Sequence, residues 1–344
     1  MGCVCSQDDR NIEAKNEFYQ SDYEIEQKIK LNQDLMTILI RLQSKIKGHY
    51  FRKNFQKNIN NGIEEEPITY KFITTNKIDQ KDLEELFKVY PPLNDGIEVE
   101  VRSPAQFSNK VIYFGEWDKI NNLRHGRGIQ LWFDGAKFLG CWKNGKACGK
   151  GKLIHADGDI YDGDWLDDKP TGHGIYIHSD GTRYEGEWKD DKQNGKGKEI
   201  WPDGTSYEGE YVNGKKEGYG KFIWADNSMY KGQFKNNNIH GKGIYTFADG
   251  RQYDGYWIKN KLEGKGTFTW PDGRKYSGDY KNDKKEGEGL FEWPDGKKYK
   301  GEWKNGKQHG FGEYYDPNDK KWRKGIWEYG RRKKWIEENE KSND

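Results

Sequence analysis

Beyond residue 110 the chain alternates large and small side chains in a short, fixed cycle. Aromatic, glycine and aromatic recur at every second position: Tyr113-Gly115-Trp117, Phe138-Gly140-Trp142, Tyr161-Gly163-Trp165, Tyr184-Gly186-Trp188 and Tyr207-Gly209-Tyr211. Tyr230-Gly232-Phe234, Tyr253-Gly255-Trp257, Tyr276-Gly278-Tyr280 and Tyr299-Gly301-Trp303 continue the series. A period of two predicts strands with one buried face. The central glycines are 25 residues apart once and then 23 apart seven times running. Between these segments lies Gly-x-Gly, nine copies from Gly126/Gly128 to Gly310/Gly312, always 23 residues apart. Gly325-Ile326-Trp327 reads as a degenerate tenth copy.

A third mark is Asp-Gly, at Asp134-Gly135, Asp157-Gly158, Asp180-Gly181, Asp203-Gly204, Asp249-Gly250, Asp272-Gly273 and Asp295-Gly296, with Asp226-Asn227 in the same place once. Each unit therefore reads as strand, tight turn, strand and a polar loop such as 143–148. In Trp201-Pro202-Asp203-Gly204-Thr205, proline suits the first central position of a type I turn. Glycine then supplies the left-handed residue of a three-residue hairpin loop. That loop sets a register: Glu199 opposite Tyr207, Gly197 opposite Gly209 and Gly195 opposite Tyr211 on the ring face. Lys198 then faces Glu208, Lys196 faces Glu210, Lys152 faces Asp162 and Lys150 faces Asp164 on the other. A two-residue loop would scatter the rings over both faces. One hairpin alone is marginal, whereas a stack of nine buries a continuous aromatic stripe.

At these residues the sequence resembles the MORN (membrane occupation and recognition nexus) repeat family, with its Tyr-x-Gly-x-Trp and Gly-x-Gly marks every 23 residues, over about 113–328. The resemblance implies a mainly β fold: an elongated, single-layer antiparallel β-hairpin solenoid, here preceded by an α-helical N-terminal segment. Members serve as membrane-junction tethers, ciliary spoke components, cortical scaffolds or targeting segments on lipid kinases and methyltransferases. Fold alone does not choose among these roles.

Composition sharpens the picture. Hydrophobic residues are 32% and charged residues 34%, values that would suit disorder, but 43 glycines and 15% aromatics point to rings buried in a glycine-dependent pattern. The net charge of +2 makes no case for nucleic acid. Cys3, Cys5, Cys141 and Cys148 form neither a disulfide framework nor a zinc spacing. A reducing, non-secreted setting is expected. No apolar run reaches the ~20 residues of a spanning helix.

The first residues, Met1-Gly2-Cys3-Val4-Cys5-Ser6, fit the N-myristoylation pattern, with Gly2 as acceptor once Met1 is removed. One acyl chain holds a membrane only marginally. Asp8 and Asp9 argue against a polybasic helper, so Cys3 and Cys5 are the expected palmitate acceptors. The segment resembles the dually acylated termini of Src-like kinases and G-protein α subunits.

Between Asp34 and Glu64 no acidic residue occurs, while Arg41, Lys45, Lys47, Arg52, Lys53 and Lys57 do. Leu35, Leu39, Leu42 and Ile46 share one helical face. Within this run Leu42-Gln43-x-x-x-Lys47-Gly48-x-x-x-Arg52 resembles the IQ motif, a helix gripped by calmodulin-like or centrin-like EF-hand proteins. It departs from the pattern in Leu for Ile at 42 and Lys for Arg at 47. An amphipathic basic helix offers apolar anchors to a groove and cations to an acidic rim. Docking on the end of the solenoid, or lying on anionic lipid, are alternatives for the same helix.

Residues 78–88 predict a short helix stopped by Pro91-Pro92, and 97–101 alternates like a strand able to cap the first hairpin. Arg331-Arg332-Lys333-Lys334-Trp335 reads as a solvated end or a short capping helix. The organisation expected is an acylated N-terminus (1–24), a basic helix (25–60), a linker and cap (61–112), the solenoid (113–328) and a charged tail (329–344). His155 and His178 take the place of Trp in other repeats and read as packing variants. The Asp157, Asp180 and Asp203 ladder is explained by its turns rather than by calcium. No catalytic set, metal site or cofactor is expected.

The function expected is a non-enzymatic scaffold at the cytoplasmic face of a membrane, holding cytoskeletal or cortical partners and recruiting an EF-hand protein. Two rivals are a ciliary or axonemal structural subunit and a phosphoinositide-binding regulatory module for a separate enzyme.

Overall fold

A computed structural model describes residues 80–107 and 110–336. They form one helix and 22 strands in antiparallel pairing, so the fold is mainly β. Two compact units divide between Lys192 and Gln193.

In the N-terminal unit helix α1 (Gln80–Val89) carries Asp82 in its first turn and Lys88 in its last, the order its dipole favours. Strands β1 (Val99–Val101) and β2 (Ala105–Gln106) both pair with β3 (Ile112–Asp118), closing the sheet edge as the alternation at 97–101 predicted. From β3 the strands follow chain order: β4 (Arg124–Leu131), β5 (Lys137–Lys143), β6 (Lys146–Ile154), β7 (Ile160–Leu166), β8 (Lys169–Ile177) and β9 (Arg183–Lys189). The face away from the rings is not uniformly charged, as the later repeats suggested. Here it presents Ile129, Leu131, Leu139 and Cys141, and α1 covers them with Leu86 and Tyr90. Lys137 pairs with Asp82 at 2.5 Å and Lys152 with Glu85 at 3.0 Å, pinning the helix on both sides.

The C-terminal unit repeats the hairpin from β10 (Lys192–Ile200) and β11 (Ser206–Val212) to β21 (Lys321–Glu328) and β22 (Arg331–Trp335). The predicted register holds: Glu199 faces Tyr207, Gly197 faces Gly209, Gly195 faces Tyr211, Lys198 faces Glu208 and Lys196 faces Glu210. In the N-terminal unit Lys150 faces Asp164 and Lys152 faces Asp162. The three-residue loop closes by Trp201 N–H to Thr205 O at 2.9 Å, with Gly204 at φ 85°. Each turn aspartate accepts the backbone N–H two residues on, as Asp203 does from Thr205 at 2.9 Å.

Two expectations need correction. The polar loop expected at 143–148 is a two-residue turn, Asn144-Gly145, with φ of 52° and 84°, and the strands run up to it. Its counterparts are Asn213-Gly214, Asn236-Asn237, Asn282-Asp283 and Asn305-Gly306. Paired left-handed residues make type I′ turns, whose twist matches that of the strands. Arg331–Trp335, read as a solvated end or a helix, is the strand β22, with Trp335 opposite Gly325. The degenerate tenth copy supplies its partner, Gly325 facing Gly312 and Trp327 facing Gly310.

Candidate interaction faces

The ring face is built by two glycines of different purpose. Gly218, at φ 62°, sits in the bulge that follows the Gly209–Gly220 pair. On Gly220 a β-carbon would lie 2.6 Å from the Tyr207 ring, so hydrogen alone fits there. Tyr207, Tyr230, Tyr253, Tyr276 and Tyr299 are fully buried. Each meets the next aromatic of its own strand edge-on, at 5.2–5.5 Å between centroids. Such pairs add about 0.5–1.5 kcal/mol beyond area burial.

Among the described residues most polar atoms of this stripe are spent internally, the Trp117 indole N–H and the Tyr280 hydroxyl excepted. Tyr207 donates its hydroxyl to Glu210 O at 3.0 Å and Tyr253 to Tyr256 O at 3.2 Å. Trp165 and Trp303 donate indole N–H to Gly151 O and Gly289 O at 2.8 and 3.2 Å. Burial pushes the Tyr253 and Tyr276 hydroxyls well above the usual phenol range. These rings are therefore a core, without a group poised for proton transfer.

Beside this core, in the C-terminal unit, runs a second ladder of rings that the sequence reading missed. Trp224–Tyr245 (5.0 Å), Tyr245–Phe247 (4.6 Å), Phe247–Phe268 (5.6 Å), Phe268–Trp270 (4.5 Å), Trp270–Phe291 (5.7 Å) and Phe291–Trp293 (4.5 Å) are successive steps. Phe291 is buried, but Trp224, Tyr245, Phe247, Phe268, Trp270 and Trp293 are only half-buried. The signal was present as aromatic-x-aromatic before each turn, for example Phe268-Thr269-Trp270. In the N-terminal unit the places corresponding to Trp224 hold Trp132, His155 and His178. His178 packs on Tyr176 at 4.6 Å, in keeping with its reading as a packing variant. Burial alone would raise the Asp159 carboxyl, but the Ser179 N–H (2.9 Å), the Tyr176 hydroxyl (2.8 Å) and His178 (3.2 Å) outweigh it, and its pKa lies below the usual range.

One position near the ring face takes a cation over neighbouring rings at Arg124, Lys216 and Lys285. Lys216 lies over Trp201, Tyr207 and Tyr211 and pairs with Glu199 at 2.7 Å, which also accepts the Tyr211 hydroxyl at 3.0 Å. Lys285 lies 4.7–5.1 Å from the centroids of Trp270, Tyr276, Phe291 and Trp303. Phe268 stands where Glu199 stood, and among the described residues the buried Tyr280 hydroxyl has no partner.

The opposite face is mixed in charge. Over β14 (Asn238–Thr246) to β19 (Lys298–Lys304) it forms a shallow groove of about 550 Å³, with Tyr256, Thr267 and Leu290 among Lys242, Lys265 and Asp254. Among the described residues no three His, Cys, Asp or Glu side chains gather as a metal site. Cys141 and Cys148 are free thiols. The expected acylation residues Gly2, Cys3 and Cys5, and the IQ-like Leu42, Gln43, Lys47, Gly48 and Arg52, all lie outside the described residues.

Among curated proteins none matches. Of solved structures, a mutant TCP10 domain of CPAP from Danio rerio is 11% identical, covering 63% of this chain and 95% of that one at a TM-score of 0.34. The TCP domain of Drosophila melanogaster SAS-4, in complex with a proline-rich motif of Ana2, is 14% identical, covering 44% of this chain and 81% of that one at a TM-score of 0.29. Scores this low carry no argument about fold or partners. The MORN repeat model matches nine times, at 113–137, 138–160, 161–183, 184–206, 207–229, 230–250, 253–273, 276–298 and 299–321. These matches fall in phase with the hairpins and cover more than half of the sequence, and the chain belongs to the MORN repeat family.

Proposed function

We propose that this protein is a membrane-anchored, non-enzymatic scaffold. Gly2 would carry a myristoyl chain and Cys3 and Cys5 palmitoyl chains, and two or more acyl chains give stable attachment where one does not. The MORN array holds partners at the cytoplasmic face of that membrane. The basic segment carrying Leu42, Gln43, Lys47, Gly48 and Arg52 recruits a calmodulin-like or centrin-like protein. The observation that supports this reading best is how the array uses its polar atoms. Most of its tyrosine hydroxyls and indole N–H groups, Tyr207, Tyr253 and Trp303 among them, bond to backbone carbonyls, which leaves a surface for contact rather than a site for chemistry. The MORN repeat is a non-catalytic module, in keeping with that use.

Fractionation of cells expressing the wild type and Gly2→Ala tests the anchor. The wild type is expected in the membrane fraction and the variant in the soluble one. Equal membrane recovery would remove the anchor and favour a structural subunit of cilia. Pull-down with calmodulin and with centrin, using Gln43→Ala and Arg52→Ala as controls, tests that segment, and equal recovery of wild type and variants would sink recruitment.

A further inference from the structure

The half-buried ladder has a period of its own. Each repeat contributes two strands, and strands lie about 4.8 Å apart, so equivalent rings recur about every 9.6 Å. The shorter steps of 4.5–4.6 Å join rings two residues apart on one strand and its turn, and the longer ones of 5.0–5.7 Å reach to the next repeat. A polyproline II helix completes one turn of three residues in about 9.3 Å. Its pyrrolidine rings pack on aromatic faces, and its stiffness lowers the entropy lost on docking. A segment with proline at every third residue therefore places one proline on each repeat's ring pair, over Trp224, Tyr245, Phe247, Phe268, Trp270 and Trp293.

Charge adds a second constraint. Arg251 and Arg274 border the ladder but are already held by Asp249 and Asp272, each at 2.7 Å. Lys285, by contrast, lies over Trp270 with rings around it, and among the described residues no carboxylate pairs with it. An acidic residue in the docked segment would meet this ammonium beside the ring track.

We infer that the half-buried aromatic ladder from Trp224 to Trp293 is a docking track for a proline-rich partner segment in the polyproline II conformation, with prolines in a three-residue period and an acidic residue facing Lys285. The inference names the partner chemistry of the scaffold proposed above and rests on that reading. Failure of the track leaves membrane attachment untouched, because Gly2→Ala tests attachment separately.

The test uses the full chain and a fluorescein-labelled synthetic peptide of four Pro-Pro-Ala triplets, with Glu replacing Ala in the second. Fluorescence anisotropy compares it with the same residues in shuffled order and with a Gln-for-Glu version. The ordered peptide is expected to bind about tenfold more tightly than the shuffled one, a difference of about 1.4 kcal/mol. Trp224→His and Trp270→His are chosen because this chain already carries histidine at the equivalent places, His155 and His178. Each is expected to weaken binding by about tenfold or more, as loss of an interface aromatic does, with an unchanged far-UV spectrum. Lys285→Met is expected to erase the preference for Glu over Gln. No binding, equal affinity for ordered and shuffled peptides, or binding indifferent to both histidine variants would overturn the track. Self-association that excludes the peptide would overturn it in favour of a second copy of this chain.

Discussion

Lys216 and Lys285 occupy the same place in repeats of one chain, and their surroundings predict opposite responses to the same substitution. Lys216 and Glu199 are buried together, with side chains 8% and 15% exposed. Removing one partner of such a pair strands the other, so Lys216→Met is expected to destabilise the protein by about 3 kcal/mol. For Lys285 burial, and next the charge of Arg274, push the ammonium down to about 8. Ring faces favour the cation and offset part of that desolvation. Lys285→Met should therefore be neutral or stabilising at pH 7. The sign with pH follows. A lysine whose folded pKa lies below its ordinary ~10.4 binds fewer protons in the folded state across that interval, so stability rises as pH climbs from about 8. Urea melts of wild type and Lys285→Met at pH 7 and pH 9 check this. The wild type should gain relative to the variant at the higher pH, and a relative loss would mean that the cage prefers the charged form. The 23-residue period sets both lysines at the same point of their repeats, but no counter-ion was legible there, because Glu199 belongs to another strand and meets Lys216 only through the stacking of hairpins.

At the scale of elements, the two ends of the repeat unit were unequally readable. Pro-Asp-Gly announced the three-residue turn through fixed φ, an Asx bond and a left-handed glycine, and its register followed residue for residue. The second turn was less visible, since pairs such as Asn236-Asn237 carry no glycine. Their cohesion is tertiary: Lys216 donates its backbone N–H to Asn237 Oδ1 at 2.7 Å, and Ile239 does the same to Asn260 at 2.7 Å. Helix α1 shows the same limit. Its span was predicted nearly to the residue, but its seat was not, because the apolar patch at Ile129, Leu139 and Cys141 is spread over two strands. Leu86 is fully buried in that seat. Leu86→Ala is expected to cost about 2–5 kcal/mol, visible as faster proteolysis between residues 80 and 110. Unchanged protection would mean that Asp82 and Glu85 hold the helix without its apolar face.

At the scale of the whole molecule, stability in a stacked array approximates a sum of repeat and neighbour terms. An in-phase deletion should therefore be tolerated. Removing residues 253–275 brings Tyr276 into the place of Tyr253 with every ring and glycine in step. That variant is expected to unfold cooperatively in a calorimetric scan, with a lowered midpoint. Removing residues 253–263 breaks the phase and should abolish the folded transition. If both variants melt alike, the repeats do not act as interchangeable units. The edge strand β22 belongs to this scale as well. Arg331, Arg332, Lys333 and Lys334 are exposed along it, and charge on an edge strand discourages pairing with other chains.

The sequence by itself determined the period, the hairpin register, the face that carries the rings and the span of α1, because each follows from local geometry: side chains alternating across a pleat, turns that demand glycine or aspartate, glycines spaced to admit a ring, and a proline pair that stops a helix. Only the tertiary structure decided which lysine meets a carboxylate, where α1 comes to rest, and that Trp224 to Trp293 line up half-buried as a second ladder. Those outcomes depend on distances between strands that lie a repeat apart in sequence, and such distances exist only once the hairpins have stacked.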